Sequence, residues 1–331
     1  MKTKIIRFNE TGNADVLKID TVPIAEPGEG KVRLKVSAIG LNRAEVMFRE
    51  GQYLETPEFP SRLGYEASGI VEAVGSGVHN VKTGDKVSTI PVFSMGQYGV
   101  YGEHPIVPSH AVTHYPDNLT PLEGASIWMQ YITAFGALIE FGQLKKGDSV
   151  LITAASSSVG LAAIQIAKSV SAIVIATTRG ADKKDFLLNA GADHVIVTDE
   201  EDLVDRVMTI TSGKGVNIVF DPIGGPILDA LANAAAPGGC IFEYGALSPE
   251  PTPFPLFSAL GKGLTIRGYT LFEVTKNNER LTRAKTYIYE RLQTGALKPV
   301  IDRIFHFNDI ADAHRYMESG KQKGKIVVTV G

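Results

Sequence analysis

The chain has 331 residues, and with domains usually running ~100–200 residues two are expected. Hydrophobic residues at 44% and charged residues at 21% fit a globular protein, and a net charge of −3 argues against nucleic acid or an anionic membrane as partner, since both call for a basic face. The single cysteine, Cys240, excludes an intramolecular disulfide and any zinc site built on two or more thiolates.

The chain opens with MKTKIIRF, which alternates like a strand and lacks the apolar region of a signal peptide. No apolar run reaches the roughly 18 residues of a membrane span, so the expected location is the cytoplasm. Up to about Leu119 the signals are short strands and turns. VRLKVSAIG from Val32 alternates, SGIVEAVGSGV from Ser68 is punctuated by glycine, and TGDKV from Thr83 turns into a strand. This part is expected to be a small β-rich barrel. From Pro121 the spacing becomes helical and stops at Gly142.

Strands and helices then alternate. Strands are predicted at 149–153, 173–177, 194–197, 217–220, 240–244 and 264–269. Helices are predicted between them at 159–168, 182–189, 203–211 and 227–235. The rhythm implies an α/β doubly wound parallel sheet with helices on both faces. A helix at 278–293, a short strand near Ile304, a helix at 309–318 and a strand from Lys325 complete the chain.

The strongest local motif is LITAASSSVGLAAIQIAK from Leu151. A buried strand enters a turn of very small residues and then a helix, whose free N–H groups and dipole suit a pyrophosphate. Dinucleotide fingerprints carry glycines here; this chain has Ser156, Ser157 and Ser158, then Val159, and keeps only Gly160. The plainer alternative is a strand–helix turn with Ser158 as the N-cap. The second strand ends Ala176-Thr177-Thr178-Arg179, with Lys183 one turn on and no carboxylate at the strand tip, although Asp182 is close. Acidic residues at this point grip the ribose 2′-hydroxyl of NAD and basic ones accept a 2′-phosphate, so NADPH is favoured over NADH. The alternative for Arg179 and Lys183 is two solvated surface charges. Gly224 and Gly225 follow Asp221 at the end of the fourth strand, and Tyr244, Gly245 and Ala246 end the fifth. Both turns are expected beside the nicotinamide and its ribose, unless they are ordinary strand–helix turns.

Several segments in order resemble the zinc-independent quinone oxidoreductase branch of the medium-chain dehydrogenase/reductase family. They are GLNRAEVMFREGQY from Gly40, LGYEASGIVEAVGSGV from Leu63, GDKV from Gly84, Thr133-Ala134, the serine turn, GAD at Gly191 and GKIVV at Gly324. The resemblance implies a GroES-like β-rich domain over 1–122 with 271–331, and a Rossmann domain over 123–270. It also bears on metal. Zinc-dependent relatives place a Cys where Asn42 stands and a His where Tyr65 stands, so no zinc is expected. A new all-histidine site has no motif behind it.

The implied chemistry is hydride transfer from NADPH to a quinone or an activated C=C or C=O. The protein's share is orientation, exclusion of water and stabilisation of oxyanion charge. Tyr53 stands at the family's tyrosine and is the candidate proton donor; Asn42 is its companion, on the nicotinamide ribose or the substrate. The plainer reading of Tyr53 is a loop aromatic bonding a carbonyl. Thr133 is implied at the nicotinamide, or else bonds its own helix backbone. Lys325 is implied near the cofactor's phosphate end, or else is a solvated edge-strand lysine. Two departures are Met47, where many relatives have tyrosine, and Tyr131, which replaces a glycine and is expected to reshape the nicotinamide pocket. The enzyme alternative is an enoyl thioester reductase, and the non-enzyme alternative is an NADPH-binding sensor or stabiliser. The strand at 264–269 is expected at the sheet edge, open to pairing in a homodimer.

Overall fold

The computed structural model describes residues 1–331, which divide into two compact units. One comprises 1–129 and 298–331, the other 130–297. No helix is long and apolar enough to cross a membrane.

The first unit is a β structure closed by the end of the chain. Its seven-stranded sheet runs in the order Ile301–His306, Lys325–Thr329, Lys31–Gly40, Glu66–Val74, Lys86–Thr89 and Val112–His114, with Ile106–Pro108 paired to Lys31–Gly40. The terminal strand lies antiparallel to Lys31–Gly40, Val327 opposite Gly40. Gly40 is in turn opposite Glu66. This register brings three strand ends together: Lys325 starts one strand, Glu66 starts another, and Asn42 follows the end of the third. Lys325 is therefore on an interior strand and 1% exposed, which overturns the alternative of a solvated edge-strand lysine.

The second unit is a six-stranded parallel sheet. Its order is His194–Val197, Ile173–Thr178, Ser149–Ile152, Val216–Asp221, Ala235–Glu243 and Thr265–Gly268. Sequence order reverses between Ser149–Ile152, the first of these strands in the chain, and Val216–Asp221, the fourth, which defines a topological switch point. Leu151, Ile175, Ile196, Val219 and Ile241, one from each of five strands, form a core with Leu203, Val207, Leu228 and Leu231 from helices. Each such side chain contributes about 1.5–3 kcal/mol by leaving water. Helix starts follow side-chain chemistry: Asp202 caps Leu203–Ile210 and Asn277 caps Asn278–Gln293 by accepting backbone N–H bonds. The expected alternation is present throughout, and Thr265–Gly268 is a sheet edge.

The unit boundaries fall at 129/130 and 297/298, against the expected 122/123 and 270/271. The reason is packing. The helix Asn278–Gln293 sits on the second unit, with Tyr287 and Phe135 ring centroids 5.0 Å apart and Arg283 paired to Glu140. Gly136 has no room for a Cβ, because the Tyr269 hydroxyl and Val274 crowd it.

Candidate cofactor and proton-donor sites

In the second unit, the strand Ser149–Ile152 turns through Ala154, which takes a positive φ of 44°, into the helix Ser158–Ser169. The N-cap is Ser157, whose hydroxyl accepts the Gly160 N–H at 3.1 Å. This corrects the alternative that named Ser158; Ser158 and Val159 open the helix instead. Gly160 is sterically required: a Cβ there would lie 2.5 Å from the Ala155 carbonyl oxygen. A bare turn and a capped helix start are the features a pyrophosphate needs.

The end of the second strand comes to the same turn. Lys183 donates from Nζ to the Ser156 hydroxyl at 3.1 Å. Thr178 is buried, its hydroxyl donating to Gly180 O at 3.2 Å, while Arg179 is exposed. The structure thus brings Ser156 and Lys183, 27 positions apart, into contact.

The turns after the fourth and fifth strands lock to each other. Leu247 and Ser248 donate N–H bonds to the Pro222 and Ile223 carbonyls at 3.0 and 2.9 Å. Gly224 and Gly225 take φ of 63° and 69°, a left-handed pair that suits glycine, and Asp221 accepts the Ile223 and Gly224 N–H groups at 3.1 and 2.7 Å. Gly245 leans on Pro222, leaving no space for a Cβ. Tyr244 stacks on Phe220 at 4.0 Å, and Gly245 and Ala246 are exposed. Opposite Asp221 stands Glu243, a carboxylate the sequence reading passed over. Its signal was present: an acidic residue at the carboxyl end of a buried strand. Thr133 is 6% exposed, and Tyr131 is fully buried with its hydroxyl on Gln165 at 2.9 Å. Tyr131 therefore anchors the helix Ser158–Ser169, and its ring is not on a surface.

In the first unit, Asn42 caps the helix Arg43–Arg49 and is bound on several sides. Its backbone N–H donates to Glu45, and its amide nitrogen donates to Gly40 O and Glu45 Oε1, both at 3.2 Å. Its Oδ1 accepts from Lys325 Nζ at 2.6 Å. The same ammonium is ion-paired with Glu66, whose other oxygen accepts the Met129 N–H at 2.9 Å. Gly40 has no room for a Cβ, because the Ala125 carbonyl and then the Lys325 stem crowd the position. Glu45 is fully buried, and burial pushes its carboxyl up to about 7 against the opposing pull of Lys325.

Tyr53 is half-buried on the loop beyond Gly51, and burial pushes its hydroxyl up to about 12. Tyr65, 1% exposed, hydrogen-bonds Tyr53 with ring centroids 6.4 Å apart, and its own hydroxyl is shifted upward, chiefly by burial. Sequence reasoning considered Tyr65 only as the replacement of a zinc ligand; the hydroxyl pair emerges from the fold. Nowhere do three His, Cys, Asp or Glu side chains group to hold a metal ion. The Asn42 amide oxygen already receives an ammonium and Tyr65 is bonded to Tyr53, so these residues do not make a zinc donor set.

Comparison with known proteins agrees with both halves of this description. Residues 28–117 match the alcohol dehydrogenase GroES-like domain and residues 158–284 the domain described as zinc-binding dehydrogenase. The chain is 32% identical to the synaptic vesicle membrane protein VAT-1 homolog of Rattus norvegicus, over 97% of this chain and 82% of that one. It is 31% identical to the quinone oxidoreductase of Lama guanicoe, over 98% and 97% of the two chains. Among solved structures, Escherichia coli quinone oxidoreductase complexed with NADPH superposes with a TM-score of 0.92 at 29% identity, covering 99% of this chain and all of that one. With its two domain matches and a relative 31% identical over nearly the whole of both chains, the chain belongs to the medium-chain dehydrogenase/reductase family, in its zinc-independent quinone oxidoreductase branch.

Proposed function

We propose that this oxidoreductase transfers a hydride from NADPH to a quinone or another activated C=C or C=O acceptor, without zinc. The observation that carries the reading is the contact of Lys183 with Ser156 at a Gly160-gated helix start, beside an exposed Arg179. Two cations at the tip of the second strand, with Thr178 beneath them, suit a 2′-phosphate. Ser157, Ser158, Val159 and Gly160 would hold the pyrophosphate, while Thr133, Gly224, Tyr244, Gly245 and Ala246 would border the nicotinamide half. When bound, the reduced nicotinamide supplies the hydride. Tyr53 then donates its proton to the reduced acceptor, and Tyr65 hydrogen-bonds the tyrosinate left behind. Asn42 orients a ligand through what remains of its amide. Lys325 is assigned to fixing Asn42 and Glu66 and not to a phosphate, because its ammonium is buried on both.

The reading is tested by titrating wild type and Arg179→Ala with NADPH and NADH, and by following loss of the reduced-nicotinamide absorbance with a quinone and an enone. Arg179→Ala is expected to weaken NADPH by about tenfold, the scale of one charge-assisted contact, and to leave NADH within twofold. Equal weakening of both would misplace the phosphate clamp, and binding without turnover on either acceptor would favour a sensor.

The same reading extends to assembly. The edge strand Thr265–Gly268 follows a segment with Phe254, Leu256, Phe257 and Leu260 all exposed, Phe257 at 86%. We propose that this edge and apolar segment pair with a second copy. Light scattering should give twice the chain mass, and Phe257→Glu should shift it toward the monomer; a wild-type monomer rejects the dimer.

A further inference from the structure

Asp221 and Glu243 end neighbouring strands directly opposite each other in the parallel sheet. Asp221 is fully buried, and its two oxygens are occupied by the Thr153 hydroxyl and the Ile223 and Gly224 N–H groups. Asp221 thus has three hydrogen-bond donors of its own. Glu243 has no such support. Both of its oxygens are buried, and neither receives a hydrogen bond from a donor. A charged carboxylate so placed, next to the Asp221 side chain, is costly, so Glu243 keeps its proton. Burial first, and the Asp221 charge second, push Glu243 up to about 9.

The surroundings of this acid are those of a ligand wall. Gly224 lies beside it, with Glu243 Oε2 3.9 Å from where a Cβ would stand, and Gly245 follows one residue after Tyr244. The buried Tyr244 hydroxyl, within electrostatic reach of both carboxyls and of Ser157, makes no hydrogen bond of normal geometry. The other charge nearby is Arg267, on the strand beyond, and it is committed to Glu273. In a doubly wound sheet the first three strands serve one mononucleotide and the last three the other. Glu243 and Tyr244 therefore belong to the half opposite the Arg179–Lys183 tip.

We propose that Glu243 is a cofactor-binding residue, a neutral carboxylic acid that hydrogen-bonds the nicotinamide-ribose hydroxyls of the dinucleotide. The assignment rests on the dinucleotide reading given above and adds a pH response to it. Loss of the Glu243 proton near 9 adds a negative charge to this wall, facing a polyanionic ligand.

Fluorescence titrations at about pH 7.5 and 9.5 test this with NADPH and with 2′,5′-ADP, which lacks the nicotinamide half. With the proton lost near 9, the wild-type Kd for NADPH should rise about fourfold between these conditions, the factor by which the neutral form is depleted. The Kd for 2′,5′-ADP should change less than twofold. Glu243→Gln, which keeps the shape and a donor, should remove the NADPH response. A Glu243→Gln protein that retains the wild-type response, or an ADP fragment that weakens as much as NADPH, overturns the proposal. Absence of NADPH binding at both pH values would instead overturn the dinucleotide reading, and this one with it.

Discussion

Replacing Lys325 with methionine is expected to destabilise the first unit by about 3–5 kcal/mol, the usual cost of removing one partner from a buried ion pair. The ammonium is 1% exposed and is the cation for Glu66, also 1% exposed. It also donates to Asn42 Oδ1 at 2.6 Å. Methionine fills the same volume but leaves a carboxylate and an amide oxygen buried without their donor. It also withdraws the favourable charge that partly offsets the burial of Glu45. Urea unfolding measures the loss. The double variant Lys325→Met, Glu66→Gln should recover much of it, because removing both charges takes away the uncompensated one. A single variant within 1 kcal/mol of wild type would mean that the pair is wetter than its geometry indicates.

Tyr53→Phe is expected to lower kcat on an enone by about 10²–10⁴-fold, the range for loss of a positioned general acid. After hydride arrives at the β-carbon, the enolate must gain a proton at the α-carbon. The Tyr53 hydroxyl, pushed up to about 12, still carries that proton throughout the neutral and mildly alkaline range. Tyr65 hydrogen-bonds the same oxygen and lessens the cost of the tyrosinate. Affinity for NADPH should be unchanged, since phenylalanine keeps the ring and removes only the hydroxyl. A quinone should feel the change less, because its reduced anion is stable enough to take a proton from water. Unchanged kcat on the enone would remove Tyr53 from the donor role.

Much of the fold was legible because it is written in local chemistry. The strands His194–Val197 and Ser149–Ile152 are short apolar runs, and the helices Leu203–Ile210 and Asn278–Gln293 begin at Asp202 and Asn277, which satisfy free N–H groups. The serine turn was legible as a tight bend from strand to helix, but the alternative that named its cap placed it one residue late. Ser157 and Ser158 are chemically identical, and only the backbone path decides which hydroxyl reaches the Gly160 N–H.

Periodicity and capping, properties of a few neighbouring residues, thus determined the alternating sheet, the helix starts and the small-residue turn from the sequence by itself. Tertiary structure alone decided what long-range register controls. It placed Lys325 between Asn42 and Glu66, positions 283 and 259 residues away. It set Glu243 opposite Asp221, joined Tyr53 to Tyr65, and gave the helix Asn278–Gln293 to the second unit. Electrostatics explains the division: whether a carboxylate or an ammonium is a surface charge or a buried partner depends on what lies across from it, and that neighbour comes from elsewhere in the chain.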